Sequence, residues 1–285
     1  MLLFIIIILP LIITSIYLYF TQIINNYIIW WSIPISLIIS FVVIVLLIIL
    51  SIYIRALFIK TRNVNQSEIK RNSFFTSFIS EIASILTLFM RVKIIIESKN
   101  KLPKEGPFML VSNHQSMYDP IGLETILPEY KPFYVFKNNL MKVPIVGKIL
   151  ISSGHLPLDR TNARKAVETI SAAIKRVENG ESLFIYPEGT RNLKRELVEL
   201  HAGTFKIALK AKCPIVILPT DGAGLLHKNY PFKKTTIVFR VSKVLYYEDI
   251  KDLSTKEIKE IVEKEFNENI ENFREKYPFL KAGLW

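Results

Sequence analysis

Charge is what the first part of this chain lacks. None of its 37 Lys and Arg or 25 Asp and Glu falls between Met1 and Ile54, so the whole +12 excess belongs to the residues from Arg55 onward. That rules out a simple soluble protein, because roughly 20 apolar residues suffice to cross a hydrocarbon core. Cysteine is nearly absent too. Cys213 stands alone, which excludes an intrachain disulfide, a Cys-rich zinc site and Cys-x-x-Cys chemistry; its place before an apolar run reads as core. A basic n-region and a small-residue cleavage pattern are missing around the first apolar run, so it is expected to stay rather than be removed as a signal peptide. There is no internal repeat, and no low-complexity segment apart from the Ile/Leu-rich N-terminus.

The uncharged stretch supplies two candidate membrane segments. One runs from Leu2 to about Phe20 and contains Pro10; the other lies within Tyr27 to Ile54, its regular part starting near Pro34. Arg55, Lys60, Arg62, Lys70 and Arg71 crowd the end of the second, whereas the Thr21 to Asn26 linker has no charge. The positive-inside rule therefore predicts a membrane protein whose large C-terminal part lies on the cytoplasmic face. No nucleic-acid-binding motif accompanies the positive charge, so the expected partners are membrane lipids and phosphorylated substrates, not nucleic acid. The expected organisation is two hydrophobic membrane segments over 1–54, a basic linker with an amphipathic helix over 55–91, and a catalytic-size domain over 92–285. Phe74 to Met90 is the amphipathic stretch, suited either to the headgroup boundary or to packing against the domain.

Beyond Val92 the hydrophobic period changes. Lys93 to Glu97, Phe108 to Ser112, Phe133 to Phe136, Leu183 to Tyr186, Pro214 to Leu218 and Thr235 to Val244 read as strands. Ala163 to Val177 and Gly203 to Lys212 read as helices, and Ser254 with Glu257 makes a capping box ahead of a long amphipathic one. The alternation predicts an α/β domain, a mostly parallel or mixed sheet flanked by helices, preceded by a transmembrane helical hairpin.

Three polar clusters follow apolar strands. Asn113-His114-Gln115-Ser116-Met117-Tyr118-Asp119 places His114, whose ordinary pKa suits proton abstraction near neutrality, five residues before a carboxylate able to orient it. Ser116 lacks the Gly-x-Ser-x-Gly setting of a nucleophile elbow and reads as a capping or positioning hydroxyl. Gly154 to Arg160 ends an apolar stretch in a basic residue, and Arg160 and Lys137 are anion-binding candidates, with Asp159 a partner for one of them. Pro187-Glu188-Gly189-Thr190-Arg191 joins a tight glycine turn to a planar guanidinium and a hydroxyl, groups that suit a phosphate; Glu188 is expected to orient Arg191 or a neighbouring loop.

The order and content of these clusters resemble the glycerophospholipid acyltransferases of the 1-acylglycerol-3-phosphate O-acyltransferase type. That family's Asn-His-x-Ser-x-x-Asp and Pro-Glu-Gly-Thr-Arg blocks match fully at Asn113 to Asp119 and Pro187 to Arg191. The middle block matches at Gly154 and Arg160, with Pro157 where Phe is usual. In the fourth, Pro214-Ile215-Val216 fit, Ile217 replaces a proline, and Pro219 comes two positions later. The resemblance covers about Val92 to Val244. It implies His114 as general base held by Asp119, an acceptor site of Arg160, Glu188, Gly189, Thr190 and Arg191 with Lys137 contributing, and direct acyl transfer without metal or cofactor. The implied substrates are a lysophospholipid, foremost 1-acyl-glycerol-3-phosphate, and an acyl thioester on coenzyme A or acyl carrier protein; the implied product is phosphatidic acid. Glycerol 3-phosphate or another lysophospholipid is the alternative acceptor, and a non-catalytic membrane adaptor is the alternative class.

Overall fold

The computed structural model describes residues 2–25, 32–59, 66, 69–192 and 198–281. The chain divides into two compact units, Met1–Thr61 and Arg62–Trp285.

In the first unit, α1 (Leu2–Asn25) and α2 (Ser32–Leu57) pack on each other. Both are long and apolar enough to cross a bilayer, over Ile5–Gln22 and Ser32–Leu57. Large side chains such as Ile38, Leu46 and Leu47 stay exposed. Several of the few hydroxyls are satisfied within the helices: Ser15 donates to the Leu11 carbonyl at 2.8 Å and Ser40 to that of Ser36 at 2.7 Å, whereas the buried Thr14 hydroxyl has no partner among the described residues. The two serine bonds are the arrangement an apolar solvent requires of a polar side chain. Pro34 falls in the first turn of α2, where its missing N–H costs nothing, whereas Pro10 lies inside α1.

The second unit is a mixed α/β domain built from α3 (Ser73–Phe89), β1 (Val92–Glu97), β2 (Met109–Val111), α4 (Asp119–Ile126), β3 (Phe133–Lys137), α5 (Val146–Ser152), β4 (Leu156–Leu158), α6 (Ala163–Glu178), β5 (Leu183–Ile185), α7 (Lys206–Ala211), β6 (Ile215–Ile217), β7 (Thr220–Asp221), α8 (Leu226–Asn229), β8 (Thr235–Arg240), β9 (Lys243–Leu245), α9 (Tyr247–Ile250) and α10 (Thr255–Lys276). Six strands form a sheet in the order β4-β3-β5-β2-β6-β9, parallel except for β9; three form a second sheet in the order β1-β8-β7. The central strands are short unbroken apolar runs because helices cover both faces. Alternation along each strand sorts its side chains between two clusters. Met109, Val111, Leu183, Ile185, Ile215 and Ile217 face one cluster, completed by α6 and by Ile258, Val262 and Phe266 of α10. Leu110, Phe184 and Val216 face the other, with Leu123 of α4 and Ile237 and Phe239 of β8.

Two expectations change. The Thr235 to Val244 stretch is two strands: β8 runs parallel to β1, then the chain crosses so that β9 pairs antiparallel with β6. A further strand, β4, holds Pro157 at the sheet edge, where a missing donor is tolerated. The amphipathic stretch forms α3, which packs on α4 through Ser80 Oγ to Glu124 Oε2 at 2.9 Å and a 3.2 Å contact between the Thr87 and Thr125 hydroxyls. Leu88 and Phe89 at its end remain exposed.

Candidate functional site

Four parallel strands, β2, β3, β4 and β5, end at one edge of the larger sheet, and each leads within a few residues to a candidate: His114, Lys137, Arg160 and Glu188. The C-terminal edge of such a sheet is where open α/β folds bind ligands.

The loop after β2 is shaped by side chains. Asn113 accepts the Thr220 N–H at 2.8 Å and donates to the Thr220 carbonyl at 2.9 Å, so its amide pairs with β7 as a strand would. Gln115 donates to Asp221 Oδ1 at 3.0 Å, and Arg274 of α10 donates to Asp221 Oδ2 at 3.0 Å. Asp119, the first residue of α4 and fully buried, takes three donors on Oδ2: the Gln115 N–H at 2.7 Å, the Ser116 N–H at 2.8 Å and His114 Nδ1 at 2.8 Å. The five-residue spacing is what lets this carboxylate close the loop on itself. Because a carboxylate only accepts, Nδ1 carries the proton and Nε2 is left as the basic nitrogen. Tyr186 stacks its ring on the imidazole, centroids 4.0 Å apart and planes 15° apart, which fixes the ring's tilt. Ser116 Oγ accepts the Tyr118 N–H at 3.2 Å and serves the turn.

The loop after β5 holds His114 from the other side. Asn192 N–H donates to the His114 carbonyl at 2.7 Å, and the His114 N–H donates to the Glu188 carboxylate. Glu188 is buried, its Oε2 has no partner among the described residues, and burial, with the Asp119 charge adding to it, pushes its pKa up to about 8. The carboxylate thus faces the His114 loop. Gly189 makes the turn at φ +67°. A Cβ there would sit 3.0 Å from the His201 ring and 3.2 Å from the Arg160 guanidinium, so the positive φ favours glycine and any larger residue would press on both side chains.

The structure thus joins His114, Asp119 and Glu188 by hydrogen bonds and brings Arg160 over Gly189. Asp159 turns to the Thr161 N–H at 3.1 Å and hydroxyl at 2.7 Å, leaving Arg160 without an acidic partner among the described residues. Partial burial lowers the Arg160 pKa. Thr190 and Arg191 are exposed just beyond the turn, and Lys137 is exposed at the same sheet edge with no contact tying it to the others. Gly154, at φ +88°, passes against the Arg176 and Arg71 side chains. His155 beside it is a core residue: burial, with Arg71 and Arg176 nearby, pushes its pKa down to about 3, and its Nδ1 accepts the Tyr134 N–H at 3.2 Å. Sequence reasoning missed Tyr186, His201 and the Asp221–Arg274 pair. Only Tyr186, next to Pro187, carried a signal. Among the described residues no three His, Cys, Asp or Glu side chains gather as a metal site.

Residues 93–219 match the family model described as Acyltransferase. A chloroplast 1-acyl-sn-glycerol-3-phosphate acyltransferase of Brassica napus is 30% identical over 163 residues, 54% of this chain and 47% of that protein. Proteins of the same name are 28% identical in Saccharomyces cerevisiae, over 66% of this chain and 60% of the relative, and 28% identical in Bacillus subtilis, over 66% and 92%. The chain spans about half the length of the plant relative. The crystal structure of the 1-acyl-sn-glycerophosphate acyltransferase of Thermotoga maritima superposes with a TM-score of 0.59 at 19% identity, covering 94% of this chain and 97% of that one, and shares its fold.

Proposed function

We propose that this chain, which carries a domain of the Acyltransferase family over residues 93–219, moves a fatty acyl group from an acyl thioester to the free hydroxyl of 1-acyl-glycerol-3-phosphate, giving phosphatidic acid. The observation that carries the reading is the 2.8 Å His114–Asp119 bond, with Nε2 left basic at the sheet edge where Arg160 has no acidic partner among the described residues. His114 Nε2 takes the hydroxyl proton as the oxygen attacks the thioester carbonyl, and Asp119 stabilises the imidazolium so formed. The tetrahedral adduct collapses, the carbon–sulfur bond breaks, and the imidazolium returns its proton to the departing thiolate. Arg160, Gly189, Thr190 and Arg191 seat the acceptor's phosphate and glycerol, with Lys137 at the same edge; Glu188, beneath them, holds the turn against the His114 loop. Holding the phosphate fixes the hydroxyl beside His114 and turns binding into orientation. No metal or cofactor enters these steps, and coenzyme A or acyl carrier protein is the donor's carrier. The names of the relatives support this acceptor, and α1 and α2 support a membrane location, with the domain on the cytoplasmic face because the positive charge begins at Arg55, in the last turn of α2.

The test is acylation by the purified full chain in lipid vesicles, with radiolabelled acyl-coenzyme A or acyl carrier protein and a panel of acceptors. We expect 1-acyl-glycerol-3-phosphate to react fastest. A rate no greater than that with glycerol 3-phosphate would make the acceptor assignment wrong.

A further inference from the structure

We infer that His201, outside every motif in the sequence, is a ligand of the acceptor's phosphate and shares with Arg160 an anion seat over Gly189. The inference builds on the acyl-transfer reading and adds a recognition residue to the same site.

The backbone that carries His201 is held on both sides. The His201 N–H donates to the Pro187 carbonyl at 2.8 Å, which ties the returning chain to the glycine turn. On one side Leu200 is buried, and its N–H donates to Glu263 of α10 at 3.1 Å; on the other the Thr204 N–H donates to the His201 carbonyl at 3.0 Å. Held this way, His201 Nε2 lies 3.0 Å and Arg160 Nη1 3.2 Å from the one point where a Gly189 side chain would begin. Three separate segments therefore converge on a place that the sequence keeps empty.

Two nitrogen-bearing side chains at one exposed place suit an anion, because no described acid forms an ion pair with either of them. Neither the His201 ring nor the Arg160 guanidinium has a hydrogen-bond or ion-pair partner among the described residues. The acid nearest in sequence, Glu199, hydrogen-bonds Lys259 at 2.7 Å and acts on His201 through space without forming an ion pair with it. The acid next to Gly189 is buried beneath the turn and engages the His114 N–H. A phosphate monoester suits these two side chains in charge. The planar guanidinium takes two oxygens, and an imidazole N–H can donate to a third.

The test measures equilibrium binding of radiolabelled 1-acyl-glycerol-3-phosphate to the full chain in detergent micelles, alongside acyl-transfer kinetics. His201→Ala should weaken binding and raise the acceptor KM by about tenfold, the low end for losing one hydrogen bond to a charged group. The kcat and the KM for the acyl thioester should hold, and binding of a monoacylglycerol, which has no phosphate, should not change. His201→Lys should recover most of the loss, and it also reads the role if the alanine variant folds poorly. Unchanged phosphate-dependent binding in His201→Ala, an equal loss with monoacylglycerol, or no recovery by lysine would overturn the inference. Acyl transfer by the wild type with a neutral His201→Ala would sink His201 alone. Absent transfer with a His201-dependent affinity for the phosphate would sink the acyl-transfer reading and keep the anion seat.

Discussion

Glu188 and Glu97 are both shielded glutamates at the ends of strands, and the fold drives them in opposite directions. Burial alone would raise the Glu97 pKa, but hydrogen bonds from Lys276, Tyr277 and Arg240 bring it down to about 2. Glu188 has the backbone N–H of His114 and no cation paired with it among the described residues, and it rises to about 8. The first sits in a clamp between β1, β8 and α10, the second under the loop that holds the candidate base. The contrast separates two uses of a carboxylate. Where its charge is fully paired it holds elements together; where it is left under-compensated it belongs to a site, and such groups gather at sites of chemistry.

Removing the base tests that division most severely. His114→Ala should lower the rate of acyl transfer at least about 10²-fold, the lower end for loss of a general base, while thermal unfolding in detergent stays close to wild type. A variant that retained full activity would remove the mechanism and with it the distinction between the two regions.

The Glu188 region should show its cost in stability. An ordinary glutamate ionises near 4.5, and Glu188 keeps its proton up to about 8. Between those values the folded chain binds one more proton than the unfolded one, so stability falls as pH rises through that window and levels off above it. Glu188→Gln removes the titrating group and should flatten that decline. Relative to its own value near pH 4.5, the variant should gain on the order of 3 kcal/mol over wild type at pH 8.5, read from denaturant unfolding. A decline of the same size in the variant would show that Glu188 is not the group responsible.

How far these regions are legible in sequence differs as well. His114 and Asp119 could be read from spacing, because the carboxylate that orients the ring lies within one loop and one helix start. For Glu188 the sequence left two partners open, Arg191 or a neighbouring loop. Its near neighbour Arg191 suggests a local ion pair, whereas the fold turns the carboxylate inward to a backbone N–H 74 residues earlier in the chain. His201 was invisible, since its neighbours at Gly189 and Arg160 come from separate segments. The same holds for the strands. The central apolar runs stood out, while the division of Thr235 to Val244 did not, because both halves carry one alternating pattern. The second sheet claims the first half through Arg240, whose partner Glu97 is distant in sequence. Pro157 hid β4, since an edge position excuses a proline only once the sheet order is known.

Glu97 should give the smallest effect and the opposite sign. Its Oε1 accepts Lys276 Nζ at 2.6 Å and the Tyr277 hydroxyl at 2.6 Å, and its Oε2 accepts Arg240 Nε at 2.6 Å. Arg240 extends the clamp by donating to Asn269 and Asn272 of α10, both at 2.9 Å, with its guanidinium carbon 4.7 Å from the centre of the Phe273 ring. The Lys276 arm is half exposed and contributes little; the Arg240 arm is shielded and dominates. A folded pKa below the ordinary 4.5 means the contribution is present above that value and is lost as pH falls toward 2. Glu97→Gln should therefore cost about 2 kcal/mol at neutral pH and make unfolding less sensitive to acid over that range, with acyl transfer per folded molecule unchanged. If the variant instead lost activity at constant stability, the clamp and the site would be one coupled system, and the two glutamates would differ in partners but not in purpose.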